Sequence, residues 1–594
     1  MSSLDLSMLS LPEQHPAEPG SFDTRPKSVN AWIEALPMAN LGETSRLVFK
    51  VLVELNRVEL PARQRMQTLE LLLKPAEYVA TSLQKQYAGR PLPLHDRHRK
   101  VSELSRALLS ELATGYKTVA RSLLNARGKP DQKMVAFALH RAMYYLGELL
   151  LRSYQIYTPY PKHVWLELHS MYRYAEHYKL LSFRYPLPPG TENECSLSEI
   201  YKRCVLLSLA MPYQLLRGEI DIVASALCYL VGHLRIEKIP DYTRPNTMFI
   251  VDLNSDLHPA YLSLYNSNDF NHCRAINMNE LLPAMSTLDG HVPADMIRRL
   301  HDAWSIMPKR SFSRSTNACA PVEVALGLSA AHYFVSGEID FTSDLIEARQ
   351  KSEFSMDATS AFTSTFIHNE SDVSSGPDVW SRNYSYSDND PRNAPSDTTV
   401  LNSGVGAQPV TYQKHVLDML NSSAGGYCLT APNDLRIAAH VGELLAIREQ
   451  HNIDIDQWGI GVIRRMQSIA NSHIELGIQM LTPNAIAVAA RVTGSDGKTP
   501  STEYMRCLML PELRAINQPA TLITPVLPFK QGSQICLYIG GRAHEAELTH
   551  VREKTRSFIQ FEFAMKEITA TNQNEPVKND DKDEPDFDTL WSIL

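Results

Sequence analysis

Two groups of residues in this chain are typed and spaced for ligand chemistry. Arg310 and Arg314 lie four apart in MPKRSFSRSTN, just ahead of an apolar alternation that begins at Val322. Far downstream, Asn421, Ser423 and Gly426 form the pattern Asn-x-Ser-x-x-Gly after YQKHVLDML. A guanidinium fork matches the O6 and N7 edge of guanine, clamps phosphate oxygens and stacks on a purine face. Asn and Ser at a strand end offer short, well-aimed donors and acceptors. Gly425 and Gly426 let the backbone turn tightly and let a ligand approach closely. Each group taken singly also has a plainer reading, the arginines as a solvated face and the second pattern as a turn.

The elements around them must bring the two groups together. After Pro308, Val322, Val324, Leu326 and Leu328 alternate with Glu323, Ala325, Gly327 and Ser329, which predicts a half-buried strand. Further strands are expected at 411–420, 426–430, 441–448, 458–467 and 473–481, then at 485–492, 504–510, 521–527, 534–540, 543–551 and 557–564. Many short strands separated by turn residues predict barrels. Within 351–410, Ser, Thr, Asp and Asn supply 28 of 60 residues, too little apolar surface to offset chain entropy. Upstream the period is helical. Leu47, Val48, Val51, Leu52 and Leu55 share a helix face, and Met66, Leu69, Leu72 and Leu73 share the next. Breaks at Gly128/Pro130, Pro159/Pro161 and Pro186–Gly190 separate further helices, as in an array of hairpins. The aromatics Tyr144, Tyr145, Tyr154, Tyr157, Trp165, Tyr172, Tyr174 and Tyr178 read as core ahead of a binding groove.

The two arginines and the Asn-x-Ser-x-x-Gly pattern, in this order around a barrel's strands, resemble the PilZ family. That family carries Arg-x-x-x-Arg before the first barrel strand, here RSFSR (310–314), and (Asp/Asn)-x-Ser-x-x-Gly after a later one, here NSSAGG (421–426). VGELLAI, GIGVIRRM and HIELGIQML continue the resemblance as the strands that follow. One feature departs from it: 106 residues separate Arg314 from Asn421. An insertion explains the excess, since loop-closure entropy grows only logarithmically with length.

The resemblance implies a receptor for cyclic di-GMP that needs no other cofactor. Arg310 and Arg314 would hold guanine and phosphate, Asn421 and Ser423 would contact the other guanine or phosphate, and Gly426 would keep the turn open. Arg464 and Arg465 read as solvent-facing charges ahead of ligand contacts. The expected fold is multidomain α plus β: an N-terminal all-α helical array, a PilZ-like six-stranded antiparallel β-barrel and a second PilZ-like barrel without the motifs. The boundaries are a flexible tail (1–39), the helical domain (40–245), a connecting α/β segment (246–307), the PilZ-like barrel (308–482, with a disordered insertion at about 340–410), a degenerate second barrel (483–566) and an acidic disordered tail (567–594).

Composition narrows the alternatives. A net charge of −8 argues against general nucleic-acid binding, which wants a basic surface. Eight scattered cysteines without a CxxC pair point to a reducing compartment, without a disulfide framework or zinc site. No secretion signal or membrane span is legible, so a cytoplasmic bacterial protein is expected. No phosphate-cradling loop, HExxH or nucleophile elbow suggests an enzyme. His163, His169 and His177 share a predicted helix at offsets of six and eight, which do not make a metal-binding face. The terminal DEPDFDTLWSIL suits either a docking peptide for a partner or packing on its own chain. A partner is expected through the helical domain or this tail. The alternative to a receptor is a nucleotide-independent scaffold with degenerate barrels.

Overall fold

The computed structural model describes residues 6–90, 92–188, 193–239, 247–265, 269–306, 320–339, 341, 412–423, 425–432, 439–450, 457–469, 473–494, 501–512 and 518–566. Arg310, Arg314, the expected insertion apart from Phe341, and the acidic tail lie outside the described residues. The chain divides into two compact units. One comprises 1–311, 432–437 and 465–474, the other 312–431, 438–464 and 475–594.

The first unit is built on α1 (Pro26–Glu34), α2 (Leu41–Arg57), α3 (Ala62–Tyr87), α4 (Asp96–Asn125), α5 (Gln132–Gln155) and α6 (Val164–His177). Polar side-chain caps start α2 and α5. The Asn40 side chain accepts the Glu43 amide and the Asp131 side chain accepts the Met134 amide, satisfying donors that no helical turn can. The expected stripes are buried: Val48, Val51, Leu52 and Leu55 on α2, and Leu69, Leu72 and Leu73 on α3. The aromatics Tyr145, Tyr154, Trp165, Tyr172 and Tyr174 are core residues. A short pair, β1 (Arg184–Pro186) and β2 (Glu194–Ser196), precedes α7 (Leu197–Leu209) and α8 (Glu219–Leu230). Ser196 and Glu199 close a capping box on α7. Strands β3 (Arg235–Lys238), β4 (Phe249–Asp252), β5 (Ala260–Tyr261) and β6 (Cys273–Asn277) then form one sheet in the order β3-β6-β4-β5. The helices α9 (Leu281–Ala284) and α10 (Ala294–Ser305) follow.

Two expectations are corrected here. Residues 6–39 are not a flexible tail: Leu6, Leu9, Val29 and Leu36 are buried, and α1 lies among them. Buried charges hold the segment's backbone. Lys117 donates to the Ser10 carbonyl at 3.1 Å, and Glu167 accepts the Ser10 amide at 2.8 Å while pairing with Lys117. Proline and polar residues mask this packing in the sequence, because the partners are over a hundred positions away. Nor is 40–245 all helical. β3 lies within it and pairs with β6.

Strands within residues 322–565 form two closed six-stranded barrels, which lie in the second unit apart from Pro432, 465–469 and 473–474 of the first barrel. The first is β7 (Val322–Leu326), β8 (His415–Ser423), β9 (Gly426–Pro432), β10 (Leu444–Glu449), β11 (Gly459–Ile469) and β12 (His473–Thr482), in the order β10-β11-β12-β9-β8-β7. The strand expected to run on to Ser329 stops at Leu326. Gly327 turns there with φ +87°, and α11 (Leu328–Val335) begins. The second barrel is β13 (Ile486–Val492), β14 (Met505–Leu510), β15 (Thr521–Thr524), β16 (Gln534–Ile539), β17 (Arg542–Lys554) and β18 (Ile559–Met565), in the order β13-β14-β15-β18-β17-β16. Numbered from their own first strands, the two orders are the same cycle. The second barrel is therefore a topological copy of the first. Leu328, Ala331 and Phe334 of α11 are buried with Trp458 and Ile460 of the first barrel and Leu508, Leu510 and Phe558 of the second, so an apolar cluster spans the two barrels beside the second barrel's own core around Val488, Leu522 and Leu537. The expected fold class, a helical region followed by two antiparallel barrels, is what the chain adopts.

Candidate functional site

Asn421, Ser423 and Gly426 meet on the β8–β9 hairpin. Asp418 pairs with Thr430 and Met419 with Leu429, but the next pair is Asn421 with Cys428. Leu420 is thus an extra residue on β8, a β-bulge. Its effect is on direction. Met419 and Leu429 are buried inward, and in unbroken register Asn421, two residues on, would also point inward. The extra residue reverses the phase. Asn421 and Ser423 now share the outer face with Cys428 and Gly426, the residues opposite them. All four are half-buried.

Gly426 is fixed by its neighbour. A Cβ there would lie 2.0 Å from the Ile478 carbonyl oxygen of β12. The Met480 amide donates to the Gly425 carbonyl at 3.0 Å, and the Ser423 hydroxyl donates to the Gly426 carbonyl at 3.3 Å. The turn is closed by backbone on one side and a hydroxyl on the other. Its glycine is required by close strand approach.

The neighbouring strand on the other side is β7, and it receives the arginine linker. Val322 pairs with Leu417, four residues before Asn421, which is about 13 Å along a strand. Val322 stands eight positions after Arg314, enough chain to span up to about 26 Å. The order of strands therefore puts the linker's end one strand away from Asn421 and Ser423. Around this edge the charges are paired. Glu323 accepts from Arg448 at 2.6 Å and from Lys414 at 3.1 Å. Burial pushes its carboxyl up, but these two cations outweigh burial and hold it below the usual range. Arg448 also stacks 4.6 Å over Trp458. Tyr427 donates to Glu449 at 2.9 Å, and burial with that carboxylate pushes its hydroxyl up to about 12.

Other expectations resolve differently. Arg464 is not a solvent-facing charge: it donates to both Glu553 oxygens on β17 and, at 2.7 Å, to Gln479. Sequence reading missed this pairing because Glu553 comes from the other barrel. It also missed Cys428, which only the bulge places opposite Asn421. His169 is buried, bonded to Tyr201 at 2.7 Å and to the Leu257 carbonyl at 2.9 Å, and burial pushes it down to about 4. It is a structural histidine. Among the described residues no cluster of His, Cys, Asp and Glu could hold a metal, and no helix is long and apolar enough to cross a membrane.

Comparison with known proteins adds a family. Three family models match in succession: "Cyclic-di-GMP receptor FimW, N-terminal domain" over residues 27–241, "Cyclic-di-GMP receptor FimW, middle PilZ domain" over 248–486, and "FimW C-terminal beta-barrel domain" over 488–565. The cyclic-di-GMP receptor FimW of Pseudomonas aeruginosa is 29% identical over 599 residues, covering 96% of this chain and 96% of that protein. No solved structure matches. The hairpin motif, the barrel that carries it and the three matched domains agree: the chain belongs to the PilZ-domain family, with a helical region before its PilZ barrel and a second barrel after it.

Proposed function

We propose that this chain is a cytoplasmic, non-enzymatic receptor for cyclic di-GMP. The observation that carries the reading is the bulge at Leu420, which turns Asn421 and Ser423 to the outer face beside Gly426. This face adjoins β7, where the Arg310–Arg314 linker arrives. In this reading the two guanidinium groups clamp a guanine edge and the phosphates. Asn421 and Ser423 hydrogen-bond the ligand from the opposite side. The relative named as a cyclic-di-GMP receptor and the matching PilZ model support the ligand's identity. The linker also joins the helical unit to the barrels. A ligand that orders it restrains that connection, and any differential affinity for the ordered state shifts the population toward it. A protein partner would read this change through the helical domain or the C-terminal tail.

Isothermal titration of the full chain with cyclic di-GMP tests the proposal. Saturable binding is expected, weakened at least tenfold by Arg310→Ala/Arg314→Ala and roughly tenfold by Asn421→Ala or Ser423→Ala, the loss of one or two charge-assisted or buried hydrogen bonds. No heat, or unchanged affinity in all four substitutions, overturns the reading in favour of a nucleotide-independent scaffold.

A further inference from the structure

Phe341 and Tyr412 flank the 70 residues from 342 to 411, yet both rings lie against one side chain. The Arg506 guanidinium is 5.3 Å from the centroid of each. The two ends of the excursion are therefore held within twice that distance. Arg506 belongs to the other barrel, on β14 opposite Ala489, and is buried. The far side of the neck is α11. His332 meets the Phe341 ring edge-on at 5.4 Å, and Tyr333 lies 5.0 Å from Tyr412. The His332 Nε2 bonds the Val488 carbonyl of β13 at 3.2 Å, which fixes α11 to the second barrel as well.

The neck has work to do. A stretch of 70 residues is costlier to close than a short turn, because closure entropy grows with the length between its ends. Closing it opposes the pairing of β7 with β8, whose described ladder is three residue pairs, Val322–Leu417, Glu323–Val416 and Val324–His415. Tyr412 stands three residues before β8, and β8 ends in Asn421 and Ser423. Whatever fixes Tyr412 holds the start of β8 against β7, and so supports the strand whose far end carries those two residues.

We infer that Arg506 is a positioning residue for the ligand face: the second barrel, which lacks the binding motifs, clamps the neck of the excursion and keeps β8 in register. The affinity part of this inference rests on the cyclic di-GMP reading, while the strand-order part does not. A guanidinium between two rings is a planar cation–π contact that neither a methionine nor a lysine reproduces in full.

The test uses the full chain with Arg506→Met, Arg506→Lys, and Arg506→Met with residues 342–411 replaced by a short Gly-Ser turn. Amide hydrogen exchange reads β8, and titration reads cyclic di-GMP. Arg506→Met should raise exchange over His415–Ser423 roughly tenfold, the size of one desolvated cation–π contact, while β16 and β17 keep their protection. Affinity should fall by a similar factor. Arg506→Lys should fall between. Shortening the excursion should restore β8 protection to within about twofold, because the neck no longer needs closing. Unchanged β8 protection in Arg506→Met overturns the inference. So does a loss that spreads to both barrels and survives the shortening, which would make Arg506 an ordinary core residue. Selective loss on β8 with rescue, but no cyclic di-GMP binding even in the parent chain, supports the clamp and sinks the ligand reading instead.

Discussion

Gly426→Ala is the sharpest perturbation of the hairpin. The added Cβ would fall 2.0 Å from the Ile478 carbonyl oxygen, 3.0 Å from its carbon and 3.2 Å from Gln479 Cα. Every one of these atoms is backbone, so no rotamer change relieves the clash. β9 must move away from β12, and the Met480–Gly425 hydrogen bond at 3.0 Å goes with it. Overpacking that forces backbone shifts costs about 1–3 kcal/mol and a lost hydrogen bond about 1 kcal/mol. A total near 3 kcal/mol corresponds to roughly hundredfold easier local opening. Gly461→Ala is the control. Its Cβ would meet Ile478 Cγ2 at 2.7 Å and the Gln479 carbonyl at 3.1 Å. The tighter contact is a side-chain methyl rather than backbone, so a smaller rise than in Gly426→Ala is expected. Amide exchange on β9 and β12 measures both variants. Less than a threefold rise in Gly426→Ala, or an equal rise in both, would refute the claim that strand approach demands this glycine.

Cys428 stands opposite Asn421 on the proposed ligand face, so saturating cyclic di-GMP should slow its alkylation while leaving the exposed Cys228 unaffected, as followed by peptide mass spectrometry. Equal slowing at both cysteines, or none, contradicts the placement. Arg464 and Glu553 tie the two barrels through a partly exposed bidentate pair, so a double-mutant cycle with Arg464→Met and Glu553→Gln in urea should show a coupling of about 1 kcal/mol that shrinks in salt. Strict additivity removes the tie. Burial pushes His140, His169 and His332 down to about 4, helped at His140 by Arg141 and at His332 by Arg506. Their unfolded value is near 6.5, so between these limits the unfolded chain binds more protons; stability is whole above about pH 6.5 and falls toward pH 4, by up to about 3 kcal/mol per histidine. Thermal unfolding followed across that range should show the loss, and His169→Gln should reduce it; a flat profile contradicts it.

Much of the architecture was legible because its signals are local. Alternation marks β8 through β18 within a few residues, and the stripes of α2 and α3 follow from the 3.6-residue period. The motif residues were legible by type and order. What the sequence hides is long-range. Leu6 and Leu9 are core residues only because Lys117 and Glu167 receive the backbone beside them. The alternation from Val322 to Leu328 runs unbroken through a change from strand to helix, and only the positive φ of Gly327 marks the switch. The bulge at Leu420 leaves no compositional trace, since one aliphatic residue more or less reads the same.

The bulge matters most because the two barrels share a strand order. Topology alone therefore does not make the candidate face. In the first barrel the second and third strands are joined by a tight hairpin, with Ser423 opposite Gly426. In the second barrel the equivalent strands, β14 and β15, are separated by residues 511–520, PELRAINQPA, with neither Asn-x-Ser-x-x-Gly nor a glycine. No arginine pair precedes its first strand either: only Pro483, Asn484 and Ala485 lie between β12 and β13. The second barrel has the same closed ladder without that turn, the Asn-x-Ser-x-x-Gly residues or an arginine linker. What it offers instead is an outer surface bearing Arg506, Arg491 and Tyr504, with Arg491 4.4 Å over Tyr504 and Arg506 between the rings at the neck of the first barrel's excursion. On the proposed reading, a barrel without the motif presents such a face to its neighbour, and the neighbour, with 70 residues of sequence between Phe341 and Tyr412, gains from being held. The division of labour between the barrels thus follows from one shared ladder and two different connections.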